Sequence, residues 1–180
     1  MQSITIKKAG ENDISLLANL SWQTFFDTYA SYNTKEDMEL FMNKNFSKKV
    51  VEKEVLDTTT DFYLACLKRE VVGYVKLIAS EKPEGLTGEK SFEVARLYAV
   101  KNKIGSGVGK ALMEHCIETA RTRNADALWL GVWSRNQHAI QFYRKFGFEK
   151  FGDSTFMLGT DAQDDWLMKL DLKNVNSLSL

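Results

Sequence analysis

The chain has 180 residues, of which 24 are basic and 24 acidic, so its formal net charge is zero and no overall field recruits nucleic acid or an anionic membrane. With 44% of its residues apolar, a chain of this length can bury the core of a single α/β domain. Cys66, Cys116, His115 and His138 form no ligand-spaced cluster, which argues against a zinc site or a disulfide framework, and no metal is expected.

Ile4 and Ile6 alternate with polar residues and predict a first strand. Asn12 or Asp13 is placed to cap a helix that carries Ile14, Leu17, Leu20 and Phe25 at helical spacing. Thr34, three residues before Asp37, predicts the cap of a second helix through Phe41, and Ser47 starts a third through Leu56. Residues 62–67 and 71–78, separated by Lys68, Arg69 and Glu70, predict a hairpin. Pro83, Gly85 and Gly88 mark 80–90 as an exposed loop. A fourth strand is predicted over 92–100, then a glycine-rich turn, an amphipathic helix from 108 to about 123, a fifth strand over 127–133 and a short helix around Tyr143. Two further strands are expected over 148–151 and 166–170, with 173–180 a loose tail, so that one domain spans 1–172. Cys66 and Cys116 read as small buried hydrophobes. No apolar run approaches the length of a membrane span, and the N-terminus lacks a charged head followed by an apolar core, so a cytoplasmic protein is expected.

The turn itself, Gly105, Ser106, Gly107, Val108, Gly109 and Lys110, lies between a strand and a helix start. Glycines there let a backbone approach a ligand closely, and the first N–H groups of a helix lack intrahelical acceptors, which together suit a phosphate. A Walker A loop would need Gly at Ile104 and Ser or Thr at Ala111, and the dinucleotide fingerprint would need Gly at Lys110, so neither fits. An ordinary tight turn is the alternative.

The loop resembles the Q/R-x-x-G-x-G/A element of the GNAT family of acyl-CoA-dependent N-acetyltransferases, with Ile104 where that family usually carries Gln or Arg. Some thirty residues on, Asn136, Ala139, Phe142, Tyr143, Gly147 and Phe148 match the family's N-x-x-A-x-x-F-Y-x-x-x-G-F segment at every named position. The order of elements resembles the GNAT fold from about residue 4 to residue 171: an α/β architecture with a mixed central sheet, flanking helices, and parallel strands four and five that splay apart into a wedge for the acyl-pantetheine. The resemblance implies acetyl-CoA as cosubstrate. It implies that the backbone of Leu97, Tyr98 and Ala99 pairs with the pantetheine, that the 105–110 loop holds the diphosphate, that Asn136 bonds the pantetheine arm, and that Tyr143 is the acid at the sulfur.

An alkylamine of pKa near 10.4 is neutral in about one molecule in a few thousand at pH 7, a deficit of roughly 4.6 kcal/mol, so a base is worth having. Glu93, just ahead of the pantetheine-binding segment, is the first choice for it, although a solvated surface glutamate is the plainer reading. For the acceptor, Trp22, Phe26, Asp27, Tyr32 and Trp133 are expected to form an aromatic and acidic wall, with Glu36 and Asp37 adding negative charge. Three local patterns, at 24–28, 73–76 and 129–133, are similar to bacterial spermidine/spermine N-acetyltransferases of the PaiA type, which implies a polyamine acceptor. Acetylation of a protein N-terminus or lysine, and a non-catalytic acyl-CoA sensor of the same fold, are the alternatives, and a homodimer is left open.

Overall fold

The computed structural model describes residues 3–79, 86 and 90–173. The expected 80–90 loop and the expected tail therefore fall largely outside the described residues. The chain runs β1 (Ile4–Lys8), α1 (Ile14–Tyr29), α2 (Lys35–Phe46), α3 (Lys48–Leu56), β2 (Thr60–Leu67), β3 (Glu70–Ile78), β4 (Ser91–Ala99), α4 (Val108–Thr122), β5 (Ala127–Trp133), α5 (Gln137–Lys145), β6 (Glu149–Leu158) and β7 (Asp161–Asp171). Seven strands form one sheet in the order β1-β2-β3-β4-β5-β7-β6, in which β4 and β5 are parallel and every other pair is antiparallel.

The helices divide between the two faces as the alternation of the strands requires. Phe62, Leu64 and Tyr74 turn toward α1 and α3, where Leu17, Leu20 and Val51 are buried. Tyr63, Ala65, Val75 and Leu77 turn the other way, toward Leu112, Met113, Cys116 and Ala120 of α4. Cys116 is the small buried hydrophobe expected, and burial pushes its thiol up to about 12, whereas Cys66 is only half-buried. The Thr34 hydroxyl accepts from the Asp37 N–H at 3.2 Å and donates to the Asp37 carboxylate at 2.7 Å, so the predicted cap forms.

Two features of the last hairpin depart from the sequence reading. β6 and β7 extend far past the expected 148–151 and 166–170, and they meet at a tight turn where Gly159 takes φ +63°. Their polar middle, rich in Asp, Ser and Thr, resembles loop chemistry because one face of this edge hairpin is exposed. Asp37 holds the hairpin tip, accepting from the Thr160 N–H at 2.6 Å and hydroxyl at 2.8 Å.

Between the helical layer and the sheet lies a buried ion triad. Glu54 of α3 accepts from Lys76 at 2.7 Å and from both Arg96 nitrogens at 2.8 and 2.9 Å, and all three side chains are less than one-fifth exposed. Burial and the neighbouring Arg96 guanidinium hold the Lys76 amine below its usual range, and Glu54 opposes that shift. Removing the carboxylate that both cations touch would leave Lys76 and Arg96 buried together with only the less direct charge of Glu93 to offset them, so Glu54→Gln is expected to destabilise the protein by about 3 kcal/mol or more. Urea unfolding measures this, and an unchanged midpoint would contradict it.

Candidate active site

The site follows from a parting of strands. Parallel pairing of β4 with β5 covers only Ser91–Ala127, Phe92–Leu128 and Glu93–Trp129. Directly beyond it the β3–β4 register slips, with Lys76 opposite Arg96 and Leu77 opposite Val94, which leaves Ala95 as the extra residue of a bulge. Such a bulge bends and twists its strand. From Val94 onward β4 stays paired to β3 but leaves β5, so one edge of Leu97, Tyr98 and Ala99 opens onto a cleft of about 490 Å³. Exposed strand edges present main-chain N–H and C=O groups to an extended ligand, and the volume suits a small-molecule site.

At one end of the cleft stands the glycine loop. Gly105 and Gly107 adopt φ +82° and +92°, and Gly107 is the residue from which α4 departs. The first helical bond runs from the Ala111 N–H to the Gly107 carbonyl, so the amides of Val108, Gly109 and Lys110 precede it and have no intrahelical acceptor. Gly105, Gly107, Gly109 and Lys110 line the cleft, whereas Ser106 and Val108 do not. The Ser106 hydroxyl donates to the Lys103 carbonyl at 2.6 Å, and the Val108 side chain is buried in the core. Lys103 and Lys145 add positive charge that sequence reasoning missed. Ile104, 58% exposed, sits at the mouth.

α5 forms the wall beyond. The Asn136 side chain caps it, accepting from the Ala139 N–H at 3.1 Å, and Gly147 ends it with φ +89°. Tyr143 lines the cleft while its ring packs near Phe142 and Phe148, with centroids 5.3 and 5.9 Å away. Burial, followed by the Tyr29 and Cys116 side chains, pushes its hydroxyl well above the usual phenol range. It therefore holds its proton at neutral pH.

The opposite face of the cleft belongs to α1 and β7. Leu130 and Val132 point into the core beneath α4, so Gly131 and Trp133 face α1. Trp133 meets Tyr29 and Tyr32 edge-on at 6.3 and 5.3 Å. On β7, opposite Trp133, stands Asp165, which lines the cleft and whose Oδ2 would lie 3.5 Å from a Cβ at Gly131. Burial and then Asp164 push its carboxyl up to about 6. The Tyr29 hydroxyl lies among Tyr98, Asn136 and Asp165, and burial raises it.

Several expected site residues are elsewhere. Trp22 and Phe26 line a separate groove with Met38 and Met42 of α2, because they occupy the helix stripe adjacent to that of Phe25, Thr28 and Tyr29, which reach the cleft. Asp27 accepts from Gln23 at 3.1 Å and does not line the cleft. Asp37 is engaged by Thr34 and Thr160, not by the cleft. Tyr32, 67% exposed, reaches only the rim through Trp133. Glu93 lies where β4 and β5 are still paired and is absent from the cleft wall. Burial pushes its carboxyl up, and Lys76 and Arg96 pull it back. Asp165 was missed because its stretch of β7 reads as loop.

Comparison with known proteins agrees with this geometry. The acetyltransferase (GNAT) family matches residues 16–148. An uncharacterized N-acetyltransferase of Lactobacillus delbrueckii subsp. lactis is 32% identical over 169 residues, 94% of this chain and 98% of that protein. The crystal structure of PaiA N-acetyltransferase from Thermoplasma acidophilum in complex with coenzyme A superposes with TM-score 0.78 at 21% identity, over 94% of this chain and 99% of that one. Ribosomal-protein-alanine N-acetyltransferase from Brucella melitensis gives 0.67 at 27% identity, over 93% and 99%. The chain belongs to the GNAT family of acetyltransferases and is an acetyl-CoA-dependent N-acyltransferase. Among the described residues no helix is long and apolar enough to cross a membrane.

Proposed function

We propose that this enzyme acetylates a small primary alkylamine of the polyamine class, such as spermidine or spermine, by direct attack on acetyl-CoA. In this reading acetyl-CoA lies along the open edge of β4, its diphosphate against the amides of 105–110 and its sulfur beside Tyr143. Charge-assisted bonds from those amides contribute about 1.5–3 kcal/mol each, and the α4 dipole adds about 0.3–1 kcal/mol more. Tyr143 gives its proton to the sulfur only as the C–S bond breaks. A thiol of pKa near 8.5 is the stronger acid, so proton transfer follows the developing charge and does not precede it.

The observation that carries the acceptor class is the wall on the α1 side, where Tyr29 and Trp133 line the cleft beside a carboxylate, Asp165, that no cation among the described residues offsets, with Tyr32 packed on Trp133 at the rim. Aromatic faces with a carboxylate favour an alkylammonium over a neutral or anionic acceptor. The likeness to PaiA-type proteins supports the same class. Thiol release from acetyl-CoA against a panel of amines and peptides tests it. The expected result is a kcat/KM for spermidine or spermine roughly tenfold or more above that for N-terminal alanine or lysine peptides, a difference of about 1.4 kcal/mol in transition-state binding. Turnover confined to peptides would contradict it.

A further inference from the structure

Direct attack requires a proton acceptor on the amine's side of the cleft, and Glu93 does not line it. We infer that Asp165 binds the acceptor's ammonium group and takes the proton whose loss makes it a nucleophile. This assignment rests on the small-amine reading above.

The geometry is specific to the site. Asp165 sits on β7 between Trp133 of β5 and Ser154 of β6, and its carboxylate stands over Gly131, the one position of that β5 face without a side chain. From α1 the Tyr29 phenol faces it, β5 contributes only Gly131 and Trp133, β6 contributes Ser154, and on its own strand the neighbouring Asp164 repels it. No Lys, Arg or His among the described residues offsets its charge. A partly buried carboxylate costs free energy until a cation meets it, and here the substrate brings that cation. A carboxyl raised to about 6 is ionised at neutral pH yet basic enough to accept a proton in a working site.

The protons balance. The ammonium gives one proton to Asp165, which releases it to solvent. The freed lone pair forms the C–N bond at the thioester carbon, and the C–S bond breaks with its electron pair going to sulfur, which takes the Tyr143 proton. The nitrogen loses its second proton to solvent as the amide forms, and Tyr143 is reprotonated from solvent. One proton is released per turnover.

Steady-state kinetics of Asp165→Asn against pH, with acetyl-CoA affinity measured by calorimetry, test the assignment. For the wild type, kcat/KM with spermidine should rise with pH to an inflection near 6, the pH at which Asp165 ionises. In Asp165→Asn that limb should vanish and kcat/KM at neutral pH should fall by roughly 100-fold, with acetyl-CoA affinity unchanged. Hydroxylamine, already neutral, should lose far less. As a second variant, Gly131→Ala narrows the recess and should raise KM for spermidine by roughly fivefold or more while changing kcat less. An Asp165→Asn enzyme that keeps both wild-type turnover and the acid limb overturns this role alone. A wild type that acetylates no small amine overturns the acceptor reading and this assignment with it.

Discussion

Gly107→Val is expected to abolish measurable acetyl-CoA binding while leaving the protein folded. The cause is conformation more than bulk. A Cβ at residue 107 would meet only Ile4, at 3.8 Å, but φ there is +92°, which a β-branched residue does not adopt. Valine must rotate the backbone, and that rotation turns the amides of 107–110 away from the position a diphosphate would take. Losing two charge-assisted bonds costs roughly 3–6 kcal/mol, a hundredfold or more in Kd. The core beneath α4 is anchored by Leu112, Met113 and Cys116, one turn or more farther on, so unfolding should stay cooperative. Calorimetric titration of the variant, with thermal unfolding as the control, decides the matter. A Kd within threefold of the wild type would show that the loop does not hold the nucleotide.

Tyr143→Phe is expected to lower kcat by roughly 100-fold and to leave acetyl-CoA affinity within about threefold. The ring is part of the packing between Phe142 and Phe148, and phenylalanine keeps that area, so only the hydroxyl is removed. Burial raises its hydroxyl, and charge interactions with Tyr29 and Cys116 raise it further, so the hydroxyl keeps its proton at neutral pH, as the proposed donor to a leaving thiolate requires. The effect should appear in single-turnover measurements of acetyl transfer and diminish with thioesters whose thiols are more acidic. Equal single-turnover rates for the two proteins would remove Tyr143 from the chemistry.

What could be read from residues alone was whatever backbone geometry imposes on residue type. Gly105, Gly107 and Gly147 occupy positive φ and Thr34 accepts from a helix N–H, and each was legible because few residue types perform those tasks, whereas the Asn136 cap of α5 was not read from the sequence. The apolar spacing of α1 and α4 was legible for the same reason, since a helix repeats every 3.6 residues. The acceptor side was not. Aromatic residues occupy two adjacent stripes of α1, and periodicity alone does not say which stripe meets the sheet edge and which meets α2, so it did not show that Trp22 and Phe26 line the groove beside α2 and not the cleft. The polar, half-exposed hairpin of β6 and β7 carries no apolar alternation, which concealed both its length and Asp165. The bulge at Ala95, which opens the cleft and leaves Glu93 on its closed side, depends on a register set by three strands together.

A crystal structure with coenzyme A bound tests the central claim most directly. The account predicts the pantetheine between β4 and β5 along Leu97, Tyr98 and Ala99, the diphosphate against the amides of 105–110, and the sulfur within hydrogen-bonding reach of the Tyr143 hydroxyl. A nucleotide bound on another face, or a thiol ending away from Tyr143, would contradict it.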